Sequence, residues 1–193
     1  QQLQQRFQQL LVEQSAHQDY QLEFRHGGII GPNAFAFPNG IIIITDEMVA
    51  LAEQDAELIA ILLHEIGHLQ QRHSLRQIIS HSSLAMLTTL LTGDITAAGT
   101  LVLAAPNVLM KAGYSRDMET EADTYALKQM RRLGIETEHF ANIMERLESV
   151  VAADPDQQSK DATTASDAEL DADVPAWLEF FASHPLTQER IAR

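Results

Sequence analysis

Apolar positions along the chain fall into helix and strand periods. Residues 1–19 carry Leu3, Phe7, Leu10 and Leu11 in a Gln-rich background, a spacing that predicts an amphipathic N-terminal helix. Residues 20–24 alternate and predict a strand. Residues 33–37 and 40–44 predict two more, joined across the turn pair Pro38-Asn39. The four isoleucines of 41–44 suit a buried strand. Thr45 or Asp46 is placed to cap a short helix carrying Met48, Val49 and Leu51. Residues 55–80 then read as one long helix with a wide apolar face of Leu58, Ile59, Ile61, Leu62, Ile66 and Leu69.

The pattern changes at residues 77–110, where Asp94 is the only charged side chain. Thr, Gly, Asp94 and Asn107 interrupt the apolar run before it reaches the roughly 18–20 residues a spanning helix needs. Two readings stand: a buried helical hairpin bending at Gly93-Asp94, or an exposed apolar flap that touches a membrane or covers a cleft. Residues 114–133 are predicted helical and stop at Gly134, which suits the residue just past a helix end. Residues 136–151 predict a further helix. Residues 154–174 hold seven acids and one lysine among small polar residues, which predicts a mobile acidic loop. Apolar character returns at 177–181, and a short helix is expected after Pro185. No internal repeat is visible.

Composition narrows the function classes. With 193 residues, 45% of them hydrophobic, the chain has enough material for one folded domain with its own core. It carries 13 Lys and Arg against 27 Asp and Glu, a net charge of −14. Such a surface repels phosphate backbones and argues against nucleic-acid partners. There is no cysteine, which excludes disulfides, thiolate catalysis and cysteine-ligated zinc. Neither charge nor cysteine content chooses between cytosol and periplasm. The first residues show no basic stretch followed by an apolar one, so no signal peptide is expected in the sequence as it stands.

The chemistry centres on His64-Glu65-Ile66-Gly67-His68. Histidines four apart share one helix face, so both rings can reach one metal ion. The glutamate between them is placed to take a proton from a metal-activated water. A catalytic zinc usually has three protein ligands and one open position. Downstream, Glu119-Thr120-Glu121-Ala122-Asp123 falls on a predicted helix. Glu119 and Asp123 lie a turn apart on one face. Glu119 can serve as third ligand while Asp123 receives a ring N–H from a ligand histidine. Glu121 points about 160° from that face on an ideal helix and is the weaker candidate. His73, five residues past His68, falls about 140° away and is expected to face elsewhere. His17, His26, His81 and His139 have no metal-binding spacing.

HEIGH followed by ETEAD has the gluzincin form HExxH…ExxxD. More specifically, the chain resembles the HtpX/BepA/Oma-like and CaaX-prenyl-endopeptidase type of zinc metallopeptidase. Four segments carry the resemblance: PNAFAFPNGIIIITDEMV, LIAILLHEIGHLQQRHSLR, YSRDMETEADTYAL and SHPLTQERIAR. Together they span residues 32–193. The resemblance implies one α+β, mostly α-helical metallopeptidase domain over 1–193, with a small β-element beside the active-site cleft. It implies His64, His68 and Glu119 as ligands of one zinc, Glu65 as general base and Asp123 behind the ligands. It also implies a metalloendopeptidase acting on misfolded or membrane-associated proteins in quality control, in the periplasm or at a membrane. Residues 84–110 are the candidate membrane contact. Many relatives carry a C-terminal repeat domain, and the chain stops where one would begin, so an excised catalytic domain is expected.

His184, in Ser183-His184-Pro185, belongs to a segment that returns to the active site in the family. It would either donate a hydrogen bond to the oxyanion or occupy the zinc's fourth position and hold the enzyme latent. Arg116 has two readings, an ion pair near the site or a contact with the reacting groups. The strand at 33–37 is a candidate edge for pairing with an extended peptide. A competing reading of the whole chain is a latent or inactive zinc-containing domain that acts as a chaperone or assembly factor.

Overall fold

The structure is a computed structural model and describes Phe7, residues 20–80 and residues 114–152. The isoleucine run forms β3 (Ile41–Thr45), the central strand of a three-stranded sheet ordered β1-β3-β2. β1 (Gln21–Arg25) runs parallel to it, in register Gln21↔Ile41 through Arg25↔Thr45. β2 (Ala34–Ala36) is the antiparallel edge, pairing Ala34 with Ile44 and Ala36 with Ile42. The Pro38-Asn39 turn between β2 and β3 is therefore a hairpin, as its residues predict. Alternation decides the faces: Ile42 and Ile44 are fully buried, whereas Ile41 and Ile43 are half-covered. β3 is thus buried on one face and half-covered on the other, as a central strand.

Thr45 closes β3 and opens α1 (Asp46–Leu51). Its hydroxyl accepts the Met48 N–H at 3.2 Å and donates to the Gly31 carbonyl at 2.9 Å. Of the two cap candidates, Thr45 takes the role. The second helix, α2 (Asp55–Gln70), is buried along Glu57–Leu69 on all sides. It packs against β2, against α3 (Arg116–Arg132) and against α4 (Glu138–Ala152). A helix covered all round has no solvent face on which to hide polar side chains. Among the described residues the architecture is mostly helical with a small sheet, the α+β class expected.

One expected element is divided. Residues 55–80 are two helices, because α2 stops at Gln70 and Arg72 takes a left-handed φ of 55°. A second helical segment covers 73–80. The Gln71–Arg72 turn contains neither Gly nor Pro, so the apolar periodicity runs through it unmarked. The helices at 114–133 and 136–151 form close to their expected bounds, with Ser115 as N-cap of α3 and Gly134 at φ 68° past its end. Of residues 1–19 the structure describes Phe7 alone, which is helical, fully buried and stacked on Phe24 with ring centroids 6.3 Å apart. The rest of 1–19, residues 81–113 and residues 153–193, on which the expected acidic loop and the short helix after Pro185 fall, lie outside the described residues. No helix among the described residues is long and apolar enough to cross a membrane.

Candidate metal centre

The polar side chains buried in α2 are Glu57, His64, Glu65 and His68. Glu57 has a structural explanation: it completes the capping box with Gln54 and pairs with Arg146 of α4. The other three form the chemical site. α3 lies against this stretch because Gly67 lets it. A Cβ on Gly67 would stand 3.0 Å from both the Cα and the carbonyl oxygen of Ala122. The glycine of HEIGH is therefore what brings Glu119 and Asp123 up to the histidines.

Four buried groups converge there, each at most 3% exposed. His64 Nε2 lies 3.0 Å from His68 Nε2. Glu119 reaches both, with Oε2 at 3.6 Å from His64 Nε2 and Oε1 at 3.4 Å from His68 Nε2. These three residues form the only group of three potential ligands among the described residues. Tetrahedral zinc with bonds of about 2.0–2.2 Å sets its donors roughly 3.3–3.6 Å apart, close to the separations found. Two imidazoles and one carboxylate also match the donor set of catalytic zinc, with a fourth position left for water or substrate. The residues present fit the metal. Asp123 Oδ1 lies 3.0 Å from His64 Nδ1, on the far side of that ring from Nε2. The charge of a carboxylate at that position favours the hydrogen on Nδ1, the tautomer that leaves Nε2 bare.

Glu65, 1% exposed, is carried between the two histidines on the same helix. Tyr114 stacks on His68, with ring centroids 4.0 Å apart and planes at 24°. Its phenol meets Ser74 Oγ at 2.7 Å. Burial raises the Tyr114 pKa, and the carboxylates of Glu65 and Glu119 raise it further, so the phenol stays protonated. On the other side, Phe140 of α4 stacks on His64 with centroids 5.8 Å apart.

His73 is where the helical projection fails. It is fully buried, with Nδ1 2.9 Å from His68 Nδ1 and Nε2 2.9 Å from Glu121 Oε2. The 140° offset assumed one continuous helix, and the left-handed Arg72 turns the chain so that His73 swings back onto His68. Burial lowers the His73 pKa and outweighs the pull of Glu121 in the opposite direction. Glu121 faces away from the metal donors as expected. It bonds His73 and, at 2.8 Å, Arg76 Nη1, and both contacts hold its pKa below the usual carboxylate value. Arg116 makes no ion pair among the described residues and is exposed. His184 lies outside the described residues. Tyr114 and Phe140 carried no sequence signal, since stacking partners have no fixed spacing from a ligand. A cavity of about 220 Å³ opens beside His68, lined by Pro38, Leu69, Arg72, Ser74 and Leu75.

Comparison with known proteins agrees with this geometry. Peptidase family M48 matches over residues 1–193. The Beta-barrel assembly-enhancing protease of Yersinia pestis is 29% identical over 128 residues, covering 60% of this chain and 26% of that protein. The Mitochondrial metalloendopeptidase OMA1 of Schizosaccharomyces pombe is 27% identical over 118 residues, covering 61% of this chain and 35% of that protein. Metalloprotease YcaL of Escherichia coli K12 is 26% identical over 122 residues, covering 61% and 48%. The chain thus matches from about a quarter to about half of each relative's length.

Proposed function

The chain belongs to peptidase family M48, and from that premise we propose that it is a zinc-dependent metalloendopeptidase hydrolysing internal peptide bonds. The observation that carries the reading is the convergence of His64, His68 and Glu119 around one point, with Glu65 on the same helix. His64, His68 and Glu119 would hold one zinc per chain, with Asp123 orienting His64. When bound, zinc supplies Lewis acidity, which eases deprotonation of a water and stabilises negative charge on the scissile oxygen. Glu65 takes a proton from the attacking water on a carboxylate oxygen and passes it to the leaving amine nitrogen as the C–N bond breaks. Its burial beside the imidazoles keeps bulk water from competing for that proton.

Substrate would enter as an extended strand. Among the described residues β2 is an edge strand of the sheet and packs beside α2, and a peptide adding to it would run past the metal donors. The cavity between the β2–β3 turn and Leu75 would take a side chain next to the scissile bond. By family resemblance, the substrates are misfolded or membrane-associated proteins in quality control, in the periplasm or at a membrane. Residues 84–110 would be the membrane contact, with recruitment by a C-terminal repeat domain or partner. His184 would donate to the oxyanion or plug the zinc. His184→Ala lowers cleavage in the first case and raises it in the second; unchanged cleavage and zinc affinity would remove both roles.

Metal removal tests the reading. Chelator-stripped protein should not cleave casein, and one molar equivalent of zinc should restore cleavage. Protein that binds one zinc and cleaves nothing would favour the latent chaperone or assembly-factor reading. Against that second reading stands Glu65, because a structural zinc does not need a buried base.

A further inference from the structure

We propose that His73 and Glu121 are positioning residues for the metal centre, fixing through hydrogen bonds which nitrogen of His68 carries its proton. The inference rests on the zinc-binding reading above and assigns a role to residues outside the ligand set.

The argument is one of proton placement along a chain of contacts. An ionised carboxylate only accepts, so Glu121 Oε2, 2.9 Å from His73 Nε2, requires the hydrogen of His73 on Nε2. A neutral imidazole with its hydrogen there has a bare Nδ1. That Nδ1 lies 2.9 Å from His68 Nδ1, which must then be the donor. His68 is left with a bare Nε2, the atom that faces Glu119 at 3.4 Å and His64 Nε2 at 3.0 Å. Asp123 Oδ1 stands 3.0 Å from His64 Nδ1, where its charge favours the equivalent tautomer on that ring. Both ring lone pairs therefore point at the same place, which suits a cation. Replacing His73 takes away the acceptor 2.9 Å from His68 Nδ1, so the tautomer that blocks the metal becomes more accessible.

The usual arrangement puts a carboxylate or carbonyl directly behind a ligand histidine. Here an imidazole is interposed, and Arg76 at 2.8 Å holds the carboxylate that ends the series. The turn at Arg72 is what makes this possible, since a continuous helix would carry His73 to another face. All three acids of ETEAD then have distinct work: Glu119 on the metal, Asp123 behind His64, Glu121 behind His73.

Zinc affinity by chelator competition tests this in the full chain, with melting of the zinc-free form as the control for folding. In His73→Asn the amide oxygen replaces Nδ1 as acceptor, and affinity should stay within about threefold of wild type. In His73→Phe the ring is kept and the acceptor lost, and affinity should fall about 10–100-fold, the usual loss for a group behind a metal ligand. Glu121→Ala should weaken zinc binding about tenfold and Glu121→Gln much less. Because Glu121 is partly exposed, this pair decides the matter if the His73 variants do not fold. A Phe variant equal to wild type, an Asn variant as weak as Phe, or an indifferent Glu121→Ala overturns the inference alone. Wild-type protein that binds no zinc overturns the metallopeptidase reading and this inference with it.

Discussion

Glu119 and Asp123 sit one turn apart on α3 and address the same ring from opposite sides, yet their loss should read differently. On the proposed reading Glu119 supplies a donor atom, so Glu119→Ala should abolish stoichiometric zinc binding and, with it, cleavage. Asp123 would supply only orientation, so Asp123→Ala should keep one zinc per chain at about 10–100-fold lower affinity, measured by chelator competition. That His64 and His68 share one helix face, and Glu119 and Asp123 another, is legible in the sequence, because each pair is spaced by four residues. His73 was misjudged by the same arithmetic, since one left-handed residue at Arg72 resets the phase. Tyr114 and Phe140 were not legible, because their stacking on His68 and His64 is a tertiary contact.

The helices are positioned by small, specific groups. Gly67 sets the spacing of α2 and α3, and a methyl there would press on Ala122 backbone that cannot yield by rotating a side chain. Gly67→Ala should therefore destabilise by about 1–3 kcal/mol, as overpacking does, and weaken zinc binding as Glu119 is pushed outward. Urea unfolding and chelator competition read the two effects separately. At the start of α2, Glu57 accepts the Glu53 N–H at 2.8 Å and pairs with Arg146. Burial alone would raise its pKa; the Arg146 and backbone contacts more than offset that, and the net value lies below the ordinary 4.5. A folded-state pKa depressed below the unfolded one adds stability above the unfolded value and loses it as pH falls. Glu57→Gln should cost about 1–3 kcal/mol at pH 7, as lost charge-assisted bonds do, and the gap from wild type should close towards pH 3 in urea midpoints. The three strands, the hairpin and a helix start at Thr45 or Asp46 are readable from alternation and turn residues; the choice of Thr45 comes from its contacts with Met48 and Gly31. The division of 55–80 was not, because Gln71-Arg72 has no breaker.

At the scale of the whole molecule, binding to the folded state alone links zinc to stability. Free zinc at 100 times its Kd should add about 2.7 kcal/mol, visible as a rise in Tm that chelator reverses. The acidic surface, with net charge −14, agrees with protein rather than nucleic-acid partners. Residues 84–110 are the proposed membrane contact, and vesicle flotation that leaves the chain entirely in the unbound fraction would remove that role. The most direct test of the central claim is casein cleavage by zinc-loaded wild type beside zinc-loaded Glu65→Gln. The account predicts one zinc bound in both, cleavage by wild type, and a rate roughly 10²–10⁴-fold lower in the variant, the range for loss of a general base. Equal cleavage by the two, with zinc bound in both, would contradict it.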